Sequence, residues 1–355
     1  RYHGHVVTPR EPAAPDAGPA RRPRGTAARP PRVSERGAAT LALVALAGLW
    51  LIVPSGALVR LTGSGLGCPD WPLCDGGVIP ASGAHAAIEY SNRVFSAVVM
   101  LLAVATWLVV RRLPGRPLLA RRAAAGAALM TVGQVPLGGL TVLTDLHPLM
   151  VGSHFLLSMA ALAAGVLTVV GLRDHLVGRE RRWDARRGPF ALGATLSLAA
   201  VLVTGVLVTA AGPHSGDSAV VGRFGQLDQA VWVHVRAVGV LLVLMAVLAV
   251  WLWRERPRDP SAGRLMAVLL PLLALQVTVG EVQYRTQLPW EVVTVHVSLA
   301  GLVWALGVAA GHALARPPVP VPSPPAGPRP VLPWDAARGE GARSGSAAPA
   351  SAGAA

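Results

Sequence analysis

Eight apolar stretches of about 20 residues each leave this chain little choice of fold, because each matches the roughly 30 Å hydrocarbon core of a bilayer. They fall at roughly 38–59, 87–110, 118–142, 148–172, 190–211, 229–253, 265–284 and 291–314. Apolar residues make up 52 % of the chain, so the runs dominate it. The first run lacks a small-residue cleavage site and is a span, not a removable signal. The chain begins at Arg1 without Met, as expected of an incomplete start. The predicted class is an all-α membrane protein.

A net charge of +14 invites comparison with nucleic-acid binders, but its placement points to a membrane. Every basic residue is Arg, and most lie in the N-terminal tail or in the loops Arg111–Arg122, Arg173–Arg187 and Arg254–Arg264. The alternate loops are nearly free of Arg. This positive-inside pattern puts both termini and the basic loops in the cytoplasm, against anionic lipid. Residues 1–37 and 315–355 are rich in Pro, Ala, Gly and Arg, and are expected to be disordered cytoplasmic tails.

A repeat runs through the spans at an offset of 142. Gln134, Gly138 and His154 recur as Gln276, Gly280 and His296, and Asn92 aligns with His234. Self-similarity at a fixed offset predicts two tandem four-helix bundles related by a pseudo-twofold repeat. A buried imidazole in a membrane span is costly, so each such histidine is a candidate functional residue. His234 and His296 fall at similar depth on neighbouring spans. Two neutral imidazoles in that arrangement suit the axial positions of an electron-carrying heme.

The first half breaks the pattern. His154 has its counterpart, but Asn92 stands where His234 stands in the second half, and amides are poor iron ligands. His85, Glu89 and Asn92 are spaced i, i+4, i+7 and share one helix face. Glu89 aligns with Val231, so the acid belongs to the first half alone. It is a candidate proton donor or acceptor, or a structural partner for Arg93 or a histidine. Arg93 and Arg236 are candidate anchors for heme propionates, or are capped by backbone carbonyls. His85 and His147 lie about 10 Å from the Asn92/His154 level, as iron ligands or as wet interfacial residues. His3, His5, His175, His214 and His312 carry no expected role. Cys68 and Cys74, six residues apart in the first external loop, suit a disulfide, with a redox-active or metal-binding thiol pair as the alternative.

The segment Thr62-Gly-Ser-Gly-Leu-Gly-Cys-Pro-Asp-Trp-Pro-Leu-Cys-Asp-Gly76, the Glu89-x-x-Asn92-Arg93 run, and Gly138-Gly-Leu-Thr-Val-Leu-Thr-Asp145 followed by His154 together resemble the heme A synthase family. The resemblance extends over about residues 38–314. It implies an oxidoreductase that converts the C8 methyl of heme O to a formyl group by successive hydroxylation, giving heme A for terminal oxidases. It further implies heme b held by His234 and His296, His154 as a ligand to the iron of the substrate heme, Glu89 as the essential acid and a Cys68–Cys74 disulfide. Residues 38–172 then form the substrate-heme bundle, 173–189 a cytoplasmic linker and 190–314 the heme b bundle. The family usually carries Glu-x-x-His-Arg where this chain has Glu-x-x-Asn-Arg. Either His85 takes the axial position opposite His154, or the substrate iron is five-coordinate.

Expected partners are heme O and heme A, the enzyme that makes heme O, an electron donor, the lipid of the cell membrane and, in a homo-oligomer, a second copy of the chain. No nucleic-acid module is present. A di-heme b-type electron carrier is the main rival, but it has no need of an open site beside a buried acid. A transporter fits less well, because four spans per unit give both copies one orientation.

Overall fold

A computed structural model describes residues 34–80, 83–213, 225–255 and 260–319, and within them eight long helices. These are α1 (Glu35–Leu61), α2 (Ala84–Val110), α3 (Leu118–Leu143), α4 (Pro148–Leu176), α5 (Gly188–Ala211), α6 (Leu227–Glu255), α7 (Pro260–Arg285) and α8 (Trp290–Ala315). Each is long and apolar enough to cross a membrane. The shortest, α5, has 24 residues, or about 36 Å at 1.5 Å per residue. The protein is a multi-pass, all-helical membrane protein.

Every predicted span is present, and each is longer than its apolar run. Polar end residues extend them: Ser34 caps α1 by accepting from the Gly37 N–H at 3.4 Å, and Glu35 occupies its first turn. At the other extreme α4 continues to Leu176, so the predicted 173–189 linker shrinks to 177–187. There Arg181 reaches back to Asp174 at 2.6 Å, and Val319 donates its N–H to the Glu180 carbonyl at 2.8 Å. The start of the predicted C-terminal tail is thus pinned to the linker. Residues 34–37 of the predicted N-terminal tail form the cap and start of α1; the rest of both tails, with His3 and His5, and His214 between α5 and α6 lie outside the described residues.

α1 packs on α2 and α4, α2 on α3, and α3 on α4; α5 packs on α6 and α8, and α7 on α8. The groups meet through α1, α4, α5 and α8. Their shared core includes Leu49, Met159, Leu162, Leu198, Val303 and Trp304. Two tryptophans cross it as hydrogen-bond donors, Trp50 to the Ser298 carbonyl at 3.1 Å and Trp304 to the Met159 carbonyl at 2.7 Å. Buried indole N–H groups need such partners.

Two tight turns set the helices that carry the histidines. Between α3 and α4, Asp145 and Leu146 take φ of 50° and 57°; between α7 and α8, Gln287 and Leu288 take 66° and 61°. Consecutive non-glycine residues at positive φ are uncommon. Leu146 donates its N–H to the Thr141 carbonyl and Leu288 to that of Gln283, both at 2.8 Å. These pairs, too, are 142 positions apart.

Candidate functional site

His154, His234 and His296 all lie within the first three turns of their helices, at the end of the molecule that carries the 62–83 loop. Each ring faces a glycine on the adjacent helix. A Cβ on Gly138 would meet His154 Cε1 at 3.3 Å, one on Gly205 would meet His234 Cε1 at 3.3 Å, and one on Gly280 would meet His296 Cε1 at 3.0 Å. The absent side chains are what let an imidazole lie flat between two helices.

The rings are also held from behind. Thr204 Oγ1 lies 2.9 Å from His234 Nδ1, which leaves Nε2 as the ring nitrogen for a ligand, a usual arrangement for a metal-binding histidine. Gln134 donates to the His154 carbonyl at 3.0 Å, and Gln276 to the His296 carbonyl at 3.1 Å. The Gln276 amide also lies 3.2 Å from His296 Nε2. His234 and His296 are electrostatic neighbours.

Buried polar atoms without a partner recur at the same positions: Gln134 Oε1 and His154 Nδ1, Gln276 Oε1 and His296 Nδ1. Such atoms are rare in a satisfied core. Neutral imidazoles, glycine-lined clearance and unsatisfied polar atoms fit a planar, iron-bearing group.

Asn92 occupies a different setting. Its Oδ1 accepts from Ser55 Oγ at 2.8 Å, the contact that corresponds to Thr204 and His234. Ser55-Gly56 on α1 thus plays the part of Thr204-Gly205 on α5. Gly205 is filled by the His234 ring, but a Cβ on Gly56 would meet nothing within 4 Å. A cleft of about 450 Å³ opens here, lined by Ser55, Leu58, Val59, Ala87, Ile88, Ser91, Asn92 and Phe95. The shorter Asn92 side chain leaves room where a histidine ring would lie. The Ser55-Gly56 pair escaped the sequence reading because its offset to Thr204-Gly205 is 149, not 142. The small-polar–Gly dipeptide on each helix was the available signal.

Glu89 is 5 % exposed and fully engaged. Its Oε2 accepts the Cys68 N–H at 2.8 Å, and its Oε1 accepts Arg93 NH2 at 2.7 Å. Arg93 in turn donates to the carbonyls of Cys68, Asp70 and Leu73. Arg93 is therefore capped by backbone carbonyls and is not a free anion anchor. Arg236 stacks 3.4 Å over the Trp232 ring and donates to the Trp232 carbonyl.

The loop held by Glu89 and Arg93 is closed by a Cys68–Cys74 disulfide. Asp70 accepts from the N–H groups of Asp75 and Gly76 at 2.6 and 2.9 Å. Those bonds, the Gly76 one foremost, hold its carboxyl below the usual carboxylate range. The loop packs onto both neighbouring helices. A Cβ on Gly67 would strike the His85 backbone at 2.5 Å, and one on Gly139 would strike the Trp71 ring at 2.8 Å.

His85 Nδ1 lies 2.9 Å from Ser64 Oγ, so that ring is tied to the loop and not to the Asn92 level. His147 caps α4, its Nδ1 accepting from the Leu149 N–H at 3.3 Å. Each ring thus has a hydrogen-bond partner of its own near a helix end.

Similarity to known proteins agrees with this geometry. The family model described as "Cytochrome oxidase assembly protein" matches residues 39–308. A heme A synthase of Symbiobacterium thermophilum is 31 % identical over 258 residues, 68 % of this chain and 82 % of the relative. One from Alkalihalophilus pseudofirmus is 35 % identical over 140 residues, 38 % of this chain and 45 % of the relative. One from Bacillus licheniformis is 30 % identical over 132 residues, 36 % and 42 % respectively. With its eight spans and its histidine–glycine pairs in view, the chain belongs to the heme A synthase family of cytochrome oxidase assembly proteins.

Proposed function

We propose that this protein is a heme A synthase, an oxidoreductase that converts the C8 methyl of heme O to the formyl group of heme A by successive hydroxylation. The observation that carries the reading is the unequal pair of sites. Residues 190–314 hold two imidazoles against Gly205 and Gly280. Residues 38–172 hold His154 against Gly138, with open space beside Asn92 and Gly56. An electron carrier has no use for that difference.

In this reading His234 and His296 bind heme b, which when bound supplies one-electron transfer. Thr204 holds the His234 ring at Nδ1, which would leave Nε2 to bind the iron. On the other side His154 ligates the substrate iron, and neither His85 nor Asn92 completes the coordination. Glu89 gives or takes the proton at its carboxylate during oxidation of the methyl group, with Arg93 holding the carboxylate in place. The Asn92 cleft lies against α1 and α2 at the apolar surface. It suits a substrate too apolar to cross water, delivered from lipid or by the enzyme that makes heme O. The Arg-rich loops put both termini on the cytoplasmic side of the cell membrane.

The test is conversion in membranes that contain heme O and no other heme A-forming enzyme. Extracted formyl-bearing heme appears on expression of the wild-type chain and not on expression of Glu89→Gln, which keeps its heme b. Two equivalents of heme b and no modified heme, with heme O supplied, assign the chain to electron transfer instead.

A further inference from the structure

Arg60 is the odd charge in the first half. It sits in the last turn of α1, yet its NH1 is buried and has no hydrogen-bond partner. Among the described residues no acid or carbonyl engages its side chain. The other charges of this end are spoken for: Glu89 and Arg93 bind each other, and Asp70 is bonded to its own loop. Arg60 is part-buried, and a guanidinium nitrogen enclosed in a membrane protein without a partner calls for an anion.

Helix register places it beside the site. Gly48 packs on Val99 of α2, and Ser55 bonds Asn92. Seven residues forward on α1 match seven back on α2, so the α1–α2 register is unbroken across Pro54. On the neighbouring face, Leu46 and Leu49 press on Gly165 of α4. Arg60 lies eleven residues past Leu49, three turns and about 20° of rotation, hence on the same face. Eleven residues back from Gly165 is His154. Arg60 is therefore at the level of His154, on the side of α1 that faces α4.

Resting on the substrate reading above, we propose that Arg60 is a binding residue for a propionate carboxylate of the substrate heme. A planar guanidinium forms paired, charge-assisted bonds with a carboxylate. One fixed edge of the porphyrin would then set which methyl faces Glu89. The same chemistry would serve a lipid phosphate, and the test separates the two.

Wild type, Arg60→Gln and Arg60→Lys, each in nanodiscs, are titrated with heme O and with its dimethyl ester, in which both carboxylates are capped. Wild type binds the free acid about tenfold more tightly than the ester, the increment of one charge-assisted pair. Arg60→Gln binds both forms alike, and Arg60→Lys keeps a preference for the acid. Retention of endogenous heme b reports that each variant is folded. Equal binding of acid and ester by wild type, or an undiminished preference in Arg60→Gln, overturns the assignment while leaving the substrate site intact. Loss of one co-purified anionic lipid from Arg60→Gln, with the acid preference unchanged, gives Arg60 to a lipid phosphate and also overturns it. If wild type takes up no heme O at all, the substrate reading itself fails, and Arg60 with it.

Discussion

Replacing the ring-facing glycines by alanine tests the histidine sites most directly, because the structure sets an order for the effects. Ordinary contact with a Cβ begins at 3.4 Å; the Cβ of Gly280→Ala would lie 3.0 Å from His296 Cε1, and that of Gly205→Ala 3.3 Å from His234 Cε1. The His296 ring must retreat by about 0.4 Å and the His234 ring by about 0.1 Å. Overpacking a tight site costs about 1–3 kcal/mol. We expect about 2 kcal/mol for Gly280→Ala and under about 1 kcal/mol for Gly205→Ala. At 1.4 kcal/mol per tenfold change, heme b retention falls about 30-fold in the first and less than tenfold in the second. Gly56→Ala is the control: its Cβ meets nothing within 4 Å, and alanine favours helix by up to about 1 kcal/mol. It should bind heme b as wild type does. Heme b remaining on purified protein challenged with apomyoglobin gives the ranking. Retention by Gly280→Ala equal to wild type, or loss from Gly56→Ala alone, refutes the assignment of the glycines as clearance for ligand rings.

Asn92→His should fit, since Gly56 is open and Ser55 stands ready to hold the ring as Thr204 holds His234. Substrate-loaded protein that binds carbon monoxide as wild type should then cease to do so; unchanged carbon monoxide binding would show that residue 92 does not face the iron. Cys68→Ser with Cys74→Ser opens a loop of six-residue separation and should destabilise it by about 2 kcal/mol, read as faster hydrogen exchange at residues 67–76. Asp70 is held below its ordinary value, so its contribution to the loop is complete above the unfolded pKa of about 3.9 and is lost as pH falls through the lower folded value. Loop protection, the slowing of exchange relative to the unfolded chain at the same pH, should be flat from pH 7 to about 5 and fall only below about pH 4. Asp70→Asn should remove that acid limb, and a limb that persists would place its origin elsewhere.

The helices were legible because a span must be apolar for about 20 residues, and that signal needs no tertiary information. The pairs Gln134/Gln276, Gly138/Gly280 and His154/His296 were legible because the α3–α4 and α7–α8 connections have equal length, so one offset carries all of them. Ser55-Gly56 and Thr204-Gly205 were not. The connection from α1 to α2 is seven residues longer than that from α5 to α6, and a fixed offset passes over the match. Arg93 and Arg60 show the same limit for charges. Arg93 was open to either reading, anion anchor or carbonyl-capped, because the loop carbonyls that engage it come from residues 20 to 25 positions away. Arg60 drew no notice, because an arginine at a helix C-terminus is ordinary. Only packing shows that its NH1 faces no partner.

The acid and the disulfide loop form one unit, and this bears on what Glu89 can do. A carboxylate that accepts from Cys68 N–H and from Arg93 already has donors to both oxygens. Taking up a proton during turnover would weaken the Arg93 pair and the Cys68 bond together, and Arg93 is what ties the carbonyls of Cys68, Asp70 and Leu73 to α2. Loop position and the protonation state of Glu89 are thus linked. Trp71 of that loop rests on Gly139, next to the glycine that faces His154. A change of charge at Glu89 would therefore reach the packing around His154 through a single loop, the one that also carries Cys68 and Cys74.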